Sequence, residues 1–311
     1  MSSGGEGQAR RRRGRAETAG EQASARTERD RGRPPRASLP LVLLGVLLLV
    51  VLVAAALLLW RSLGESISGT SIAKDSLDSG PEPRVHLINA AGRVLVEGVR
   101  GLESVKYEAT KYASAANPAA AKKRASEVPV DVSREDSTIV VETDGGRGTG
   151  ADYALRVPAG AAVEVESEAG EVEVSRLSGD VTVYAGAGDV KVREVSGDVN
   201  VEAPQGDVDV GGVNTETGGV ELEVGAGDLT LTDMVVGTLE ANIEVGDVTL
   251  SGRFSGGGRV SVETGDILAR LPSEDTRDLT LETSVGEILR EPPGGSPDGN
   301  RGGGGPPGGE T

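Results

Sequence analysis

The chain has 311 residues, no cysteine and a single histidine, His86, which excludes disulfides, thiolate chemistry and the usual Cys/His zinc sites. Aromatic residues make up 2% of it, too few for a base-stacking nucleic-acid surface or an aromatic sugar platform. The net charge is −17, from 49 acidic against 32 basic residues, and it is unevenly placed.

Residues 1–38 hold ten arginines, including the run Arg10 to Arg13, and five acids, so they carry +5. They show no apolar period and read as a disordered basic tail, with no motif for nucleic acid. No charge falls between Leu39 and Trp60, and the rest of the chain carries −22. As a helix, residues 39–60 would be about 33 Å long, enough for a hydrocarbon core of about 30 Å. A helix can span because it satisfies its own backbone polar groups. Arginines crowd its N-terminal side, whereas Arg61 and Lys74 are the only basic residues soon after it. That asymmetry places the N-terminus in the cytoplasm and the acidic body outside, on a single-pass cell-membrane anchor. A cleaved signal peptide is the competing reading, since Ser62-Leu63-Gly64 offers a small-x-small site. Signal peptides normally carry a shorter apolar region, about 7–15 residues.

Residues 61–83 are rich in Ser, Gly, Asp and Pro and read as a linker. Residues 84–158 predict strands at 84–88, 93–97, 104–112, 128–132, 138–142 and 153–157. Asn117-Pro118 predicts one short helix to Ser126, with Asn as N-cap and Pro at the first helical position. This region is expected to cap the domain. From Glu291 to Thr311 the chain is mostly Gly and Pro and is expected to be disordered.

Residues 159–290 carry the most informative feature, a unit of about nine residues. Examples are DVTVYAGAG (180–188), DVKVREVSG (189–197) and DVNVEAPQG (198–206). Each opens with strict apolar–polar alternation, the mark of a strand with one dry face. Each closes on glycine, which turns the chain. Alternate units end on a large apolar residue, as at Leu177, Val195, Val213, Met234 and Phe254, so the true period is two units. Self-similarity at this period predicts an all-β fold: a β-solenoid (β-helix) of short Val-rich strands in 18–21-residue coils. Its interior should hold ladders such as Val172/Val190/Val208 and Val181/Val199/Val220. The longer intervals after Asp207 and Asp266 should be surface loops at Asn214 to Thr217 and Ser273 to Arg277.

Seven aspartates follow a turn glycine directly: Asp180, Asp189, Asp198, Asp207, Asp228, Asp247 and Asp266. Calcium-binding nonapeptides instead need Gly-x-Asp within GGxGxD. These aspartates read as turn caps that hold divalent cations only loosely, with no dedicated metal site. Acids recur at nearly every turn, so no carboxylate pair stands out for sugar hydrolysis, and the loops are short. His86 has no nucleophile partner in the sequence and reads as a surface or cap histidine. Lys122, Lys123 and Arg124 form a basic spot that reads as a solvated helix face, or as a dock for an anionic wall polymer.

The start NAAGRVLV (89–96), the strand ending in Val157-Pro158-Ala159-Gly160 and the SGDV-type repeats resemble the bacterial putative-adhesin domain of unknown function. The resemblance covers residues 84–290. It implies a cell-surface β-helix, often on a membrane anchor, with some relatives linked to envelope stress. It brings no catalytic residue and no cofactor. The expected function is a non-enzymatic envelope module that binds or scaffolds an envelope protein, polymer or cationic peptide. The alternative is an envelope-stress sensor or regulatory accessory, and a weaker one is a polysaccharide-acting enzyme.

Overall fold

Strict alternation gives each short strand one apolar and one polar face, and a strand so small can bury the apolar face only by stacking. The structure, a computed structural model, describes residues 67–272 and 278–292 and shows that stacking directly. The basic tail, the apolar segment 39–60, Ser273 to Arg277 and the C-terminal tail beyond Pro292 lie outside the described residues. Among the described residues no helix is long and apolar enough to cross a membrane.

In chain order the elements are β1 (Ile67–Asp78), β2 (Arg84–Asn89), β3 (Val94–Val99), β4 (Ser104–Ala115), α1 (Pro118–Glu127), β5 (Asp131–Glu135), β6 (Thr138–Thr143) and β7 (Thr149–Pro158). The repeats supply β8 (Ala162–Ser167), β9 (Val172–Leu177), β10 (Val181–Ala185), β11 (Val190–Val195), β12 (Val199–Gln205), β13 (Val208–Gly211), β14 (Asn214–Ala226) and β15 (Leu229–Val245). The last are β16 (Val248–Phe254), β17 (Gly258–Thr264), β18 (Ile267–Arg270), β19 (Leu279–Val285) and β20 (Ile288–Glu291).

The strands form two parallel walls around one core. The first wall runs β6, β2, β8, β10, β12, β14, β15, β17, β19. The second runs β7, β3, β9, β11, β13, β15, β16, β18, β20. β15 is long enough to turn the corner and serve both. Both expected valine ladders form in register, Val172–Val190–Val208 and Val181–Val199–Val220. Each buried Val or Leu contributes about 1.5–3 kcal/mol.

Alternation alone would point Arg176, Glu194 and Asp233 inward. Instead each adopts a left-handed backbone, with φ of 61°, 54° and 53°. That single-residue kink flips the chain by one position and drives Leu177, Val195 and Met234 into the core. The large apolar residues that distinguish alternate units are therefore corner fillers. Gly212, with φ of 66°, does the same before Val213.

The structure differs from expectation in three ways. Ile67–Asp78, read as linker, is a strand that pairs antiparallel with β4 along its whole length. Its alternate residues Ala73 and Leu77 pack against the core, which a composition-based reading of Ser, Gly and Asp hides. Second, β2 and β3 are not cap but an internal coil. They lie between the β6–β7 coil and the β8–β9 coil, although β6 and β7 come later in the chain. Third, Asn214 to Thr217 is not a loop. It lies within β14, and a register shift between Thr215 and Gly219 absorbs the extra residues.

The cap proper is β1, β4, α1 and β5. Antiparallel β4 closes the second wall beside β7, and β5 closes the first beside β6. Covering these edges removes a template for pairing with other chains. α1 forms as expected, with Asn117 Oδ1 accepting from the Ala120 N–H at 2.9 Å and Pro118 at the first position. It rests on β1 at Gly69, where a side chain would collide with the Lys122 backbone.

Candidate functional site

Where alternation buries one set of side chains, it must display the other as straight outward rows. The two walls display opposite chemistries. On the second wall, charges of opposite sign are register neighbours. Lys191 lies between Glu173 and Asp209, Glu97 beside Arg156, and Arg270 beside Glu291. These rows and their corners pair off. Lys191 Nζ is 2.6 Å from Glu171, Arg93 reaches Glu171 and Glu173 at 3.3 and 3.1 Å, and Arg176 meets Glu97 at 2.6 Å. Arg270 meets Glu291 at 3.0 Å, and Arg193 pairs with Asp209.

The first wall is acidic and mostly unpaired, although Arg259 is a register neighbour of Glu240. Its rows expose Glu164, Glu166, Glu202, Glu221, Glu223 and Glu240, with Glu244 and Glu263 at the margin. Glu202 is the direct cross-strand partner of Glu223, and Glu221 of Glu240. Like charges directly opposite cost stability, on the order of 0.2–1 kcal/mol per pair. Among the described residues, only two ion pairs lie on this wall, His86–Glu166 at 3.0 Å and Arg259–Glu282 at 3.5 Å. Shallow grooves run between the rows. One is lined by Glu202, Glu223, Glu244 and Glu263, another by Asp180, Asp198, Glu221 and Glu240.

The seven turn aspartates stand in two columns along the corners, and their role is sharper than a cap within a turn. Asp189 Oδ1 accepts the backbone N–H of Asp207 at 3.2 Å. Asp207 accepts from Asp228, Asp228 from Asp247, Asp247 from Asp266, and Asp266 from Glu287, at 2.8–2.9 Å. In the other column Asp180 accepts from Asp198, and Asp198 from Gly219, both at 3.0 Å. Each carboxylate thus satisfies a corner N–H of the next coil and rivets the two together. Three or more metal-ligating atoms fall within 4.8 Å of one another, among the described residues, only at His86, Glu164 and Glu166.

His86 is therefore a surface residue of the first wall, one of the two readings the sequence allows, and not a cap residue. β2 sits beside β8, which makes His86 the register neighbour of Glu164. Eighty residues separate His86 from Glu166, and the contact exists because β2 is inserted out of chain order, so no local spacing reveals it. The basic spot is partly spent on structure. Arg124 donates to the Ser114 and Arg147 carbonyls, and Lys123 pairs with Glu127 at 3.8 Å.

The second wall's charges also set an acid response. The hydrogen bond from Lys191, with the nearby Arg93 guanidinium, holds the Glu171 carboxyl below its ordinary value against the opposing effect of burial. A depressed carboxyl stabilises the fold above its unfolded value and loses that contribution as pH falls through the folded one. Glu171→Gln should therefore destabilise at pH 7 and lose its effect in acid below about pH 4. Urea unfolding at both pH values measures this, and equal differences would refute it.

Residues 99–291, more than half of the chain, match the family described as Toastrack DUF4097. The chain belongs to the Toastrack DUF4097 family. The Toastrack region starts at the end of β3, so β2 and most of the first inserted coil precede it. Among solved structures, the chain is similar to a putative adhesin from Bacteroides fragilis, with 14% identity, 71% of this chain and 97% of that one covered, and a TM-score of 0.47. It is also similar to a putative adhesin from Parabacteroides merdae, with 13% identity, coverage of 71% and 96%, and a TM-score of 0.33. A putative cell adhesion protein from Clostridium sporogenes has 10% identity, coverage of 72% and 99%, and a TM-score of 0.23. No curated protein matches the chain.

Proposed function

We propose that the protein is a non-enzymatic binding module of the cell envelope, held by residues 39–60 and projecting its Toastrack domain outside the membrane. The observation that carries the reading is the contrast between the walls. One sheet surface compensates its charges pair by pair, and the other keeps like charges opposite one another at a cost to stability. A surface that retains such a cost favours a cationic ligand, because a negative field attracts it and its arrival relieves the repulsion. The regular rows suit an extended basic peptide or a polymer bearing amines, with contacts repeating at each coil.

Titration of the full chain in detergent with fluorescent oligolysine tests this. Converting Glu202, Glu221, Glu223 and Glu240 to Gln should weaken binding at least tenfold at low salt, on the order of 1.4 kcal/mol or more. The same variant should melt at a higher temperature, since two repulsive pairs are removed. Unchanged affinity together with a lower melting temperature would overturn the proposal.

A further inference from the structure

At the cap end of the acidic wall, the insertion of β2 beside β8 places the chain's one imidazole against two carboxylates on the same outward surface. His86 Nε2 lies 3.0 Å from Glu166 Oε1, and one ligand atom each from His86, Glu164 and Glu166 lies within 4.8 Å of the others. The His86 side chain is 23% exposed, on the outward surface of the wall. Ile88, the register partner of Glu166, lies on one side of the pair, and on the other Tyr184 is the register partner of Glu166. Among the described residues neither Glu164 nor Glu166 has a Lys or Arg partner.

We infer that His86, Glu164 and Glu166 form a binding site for a single first-row divalent cation of the zinc class. The donor set decides the class. An imidazole nitrogen with two carboxylate oxygens suits zinc and its neighbours, whereas calcium and magnesium take oxygen ligands. Zinc bonds to His nitrogen at about 2.0–2.1 Å and to carboxylate oxygen at about 2.0–2.2 Å, so two ligands sharing one tetrahedral ion stand roughly 3.3–3.5 Å apart. The His86–Glu166 pair, now hydrogen-bonded at 3.0 Å, has only to open by about 0.3–0.5 Å to take an ion between its two atoms, and the ligand atom of Glu164 already lies within 4.8 Å of both. The surrounding acidic rows raise the local cation concentration. Three protein ligands leave at least one coordination position open toward solvent, available to water or to a donor on a bound partner. The site is independent of the peptide-binding reading, since its ligands are none of the four glutamates that test that reading.

Zinc chloride titrated calorimetrically into the full chain in detergent tests the site. One equivalent should bind with a dissociation constant in the micromolar range. His86→Gln should weaken that step at least tenfold, and Glu166→Gln likewise, while Glu127→Gln on α1 leaves it within twofold. Millimolar calcium should not compete. His86 points outward, so the metal-free melting temperature of His86→Gln should match that of the parent chain, separating lost ligation from lost fold. Three results would each overturn the inference: no one-site binding below about 100 μM, the same affinity in the His86→Gln chain, or equal displacement by calcium, which would mark a diffuse acidic surface.

Discussion

Replacing Gly246 with alanine should cost roughly 3 kcal/mol or more. Two physical terms combine. Gly246 has φ of 150°, a region that residues with a Cβ adopt only with strain of about 1–3 kcal/mol. A Cβ there would also press into the carbonyl oxygen of Gly227 on the preceding coil, closer than any relaxed contact. Gly227 stands in the same relation to Gly206, and Gly265 to Gly246, so one column of glycines fixes the distance between coils. Opening that corner would also stretch the hydrogen bond from the Asp247 N–H to Asp228, 2.9 Å long. Gly101 is the control. Its φ is 74°, but a Cβ there meets nothing within 4 Å. Gly101→Ala should cost only the left-handed penalty, about 1–2 kcal/mol. Urea unfolding of both variants decides it, and equal costs would mean that stacked corners do not set the coil spacing.

Deleting a whole coil should be far less damaging than deleting half of one. Removing residues 189–206 joins Gly188 to Asp207 and brings β13 against β9 and β14 against β10. Val208 then takes the place of Val190 beside Val172, and Val220 that of Val199 beside Val181. In a stacked array stability is close to a sum of neighbour terms, so the loss is one coil's share, about 1–3 kcal/mol for 18 residues. Removing only residues 189–197 keeps every strand pattern intact but moves each later unit to the opposite wall. The glycine column and the corner fillers Val213, Met234 and Phe254 then fall at the wrong corners. Circular dichroism and thermal unfolding should show a folded, cooperative chain for the first deletion and loss of the cooperative transition for the second. The reverse order would mean a nine-residue period and would contradict the two-wall arrangement.

The repeat region was legible because its information is local. Val-x-Val alternation sets the inward face, glycine marks the corner, and the difference between DVKVREVSG and DVTVYAGAG reveals the two-unit coil. The ladders through Val190 and Val199 followed from those facts alone. What stayed hidden depends on chain-order exceptions and on contacts across coils. Nothing around Arg84–Asn89 signals that this strand will lie between β6 and β8. Hence neither the inserted coil nor the meeting of His86 with Glu164 could be read. Ile67–Asp78 was hidden by its polar composition, because a cap strand needs to bury only one thin row. The aspartates read as turn caps in the sequence, but their hydrogen bonds run to the next coil, a distance of 18 to 21 residues. The unequal walls were hidden for the same reason, since the sign of a neighbour is set by register and not by sequence adjacency.

The most direct measurement is made on intact cells displaying the full chain, titrated from outside with fluorescent oligolysine. Three chains are compared: the parent, the Glu202, Glu221, Glu223 and Glu240 to Gln variant of the first wall, and a second-wall variant with Glu97, Glu173, Asp209 and Glu291 neutralised in the same way. Each variant removes four negative charges, so net charge alone cannot separate the two. Retention on the cells should fall at least tenfold for the first-wall variant and by less than threefold for the second. Equal loss in both, or retention that does not depend on the chain at all, would contradict an outward-facing module that binds through its acidic wall.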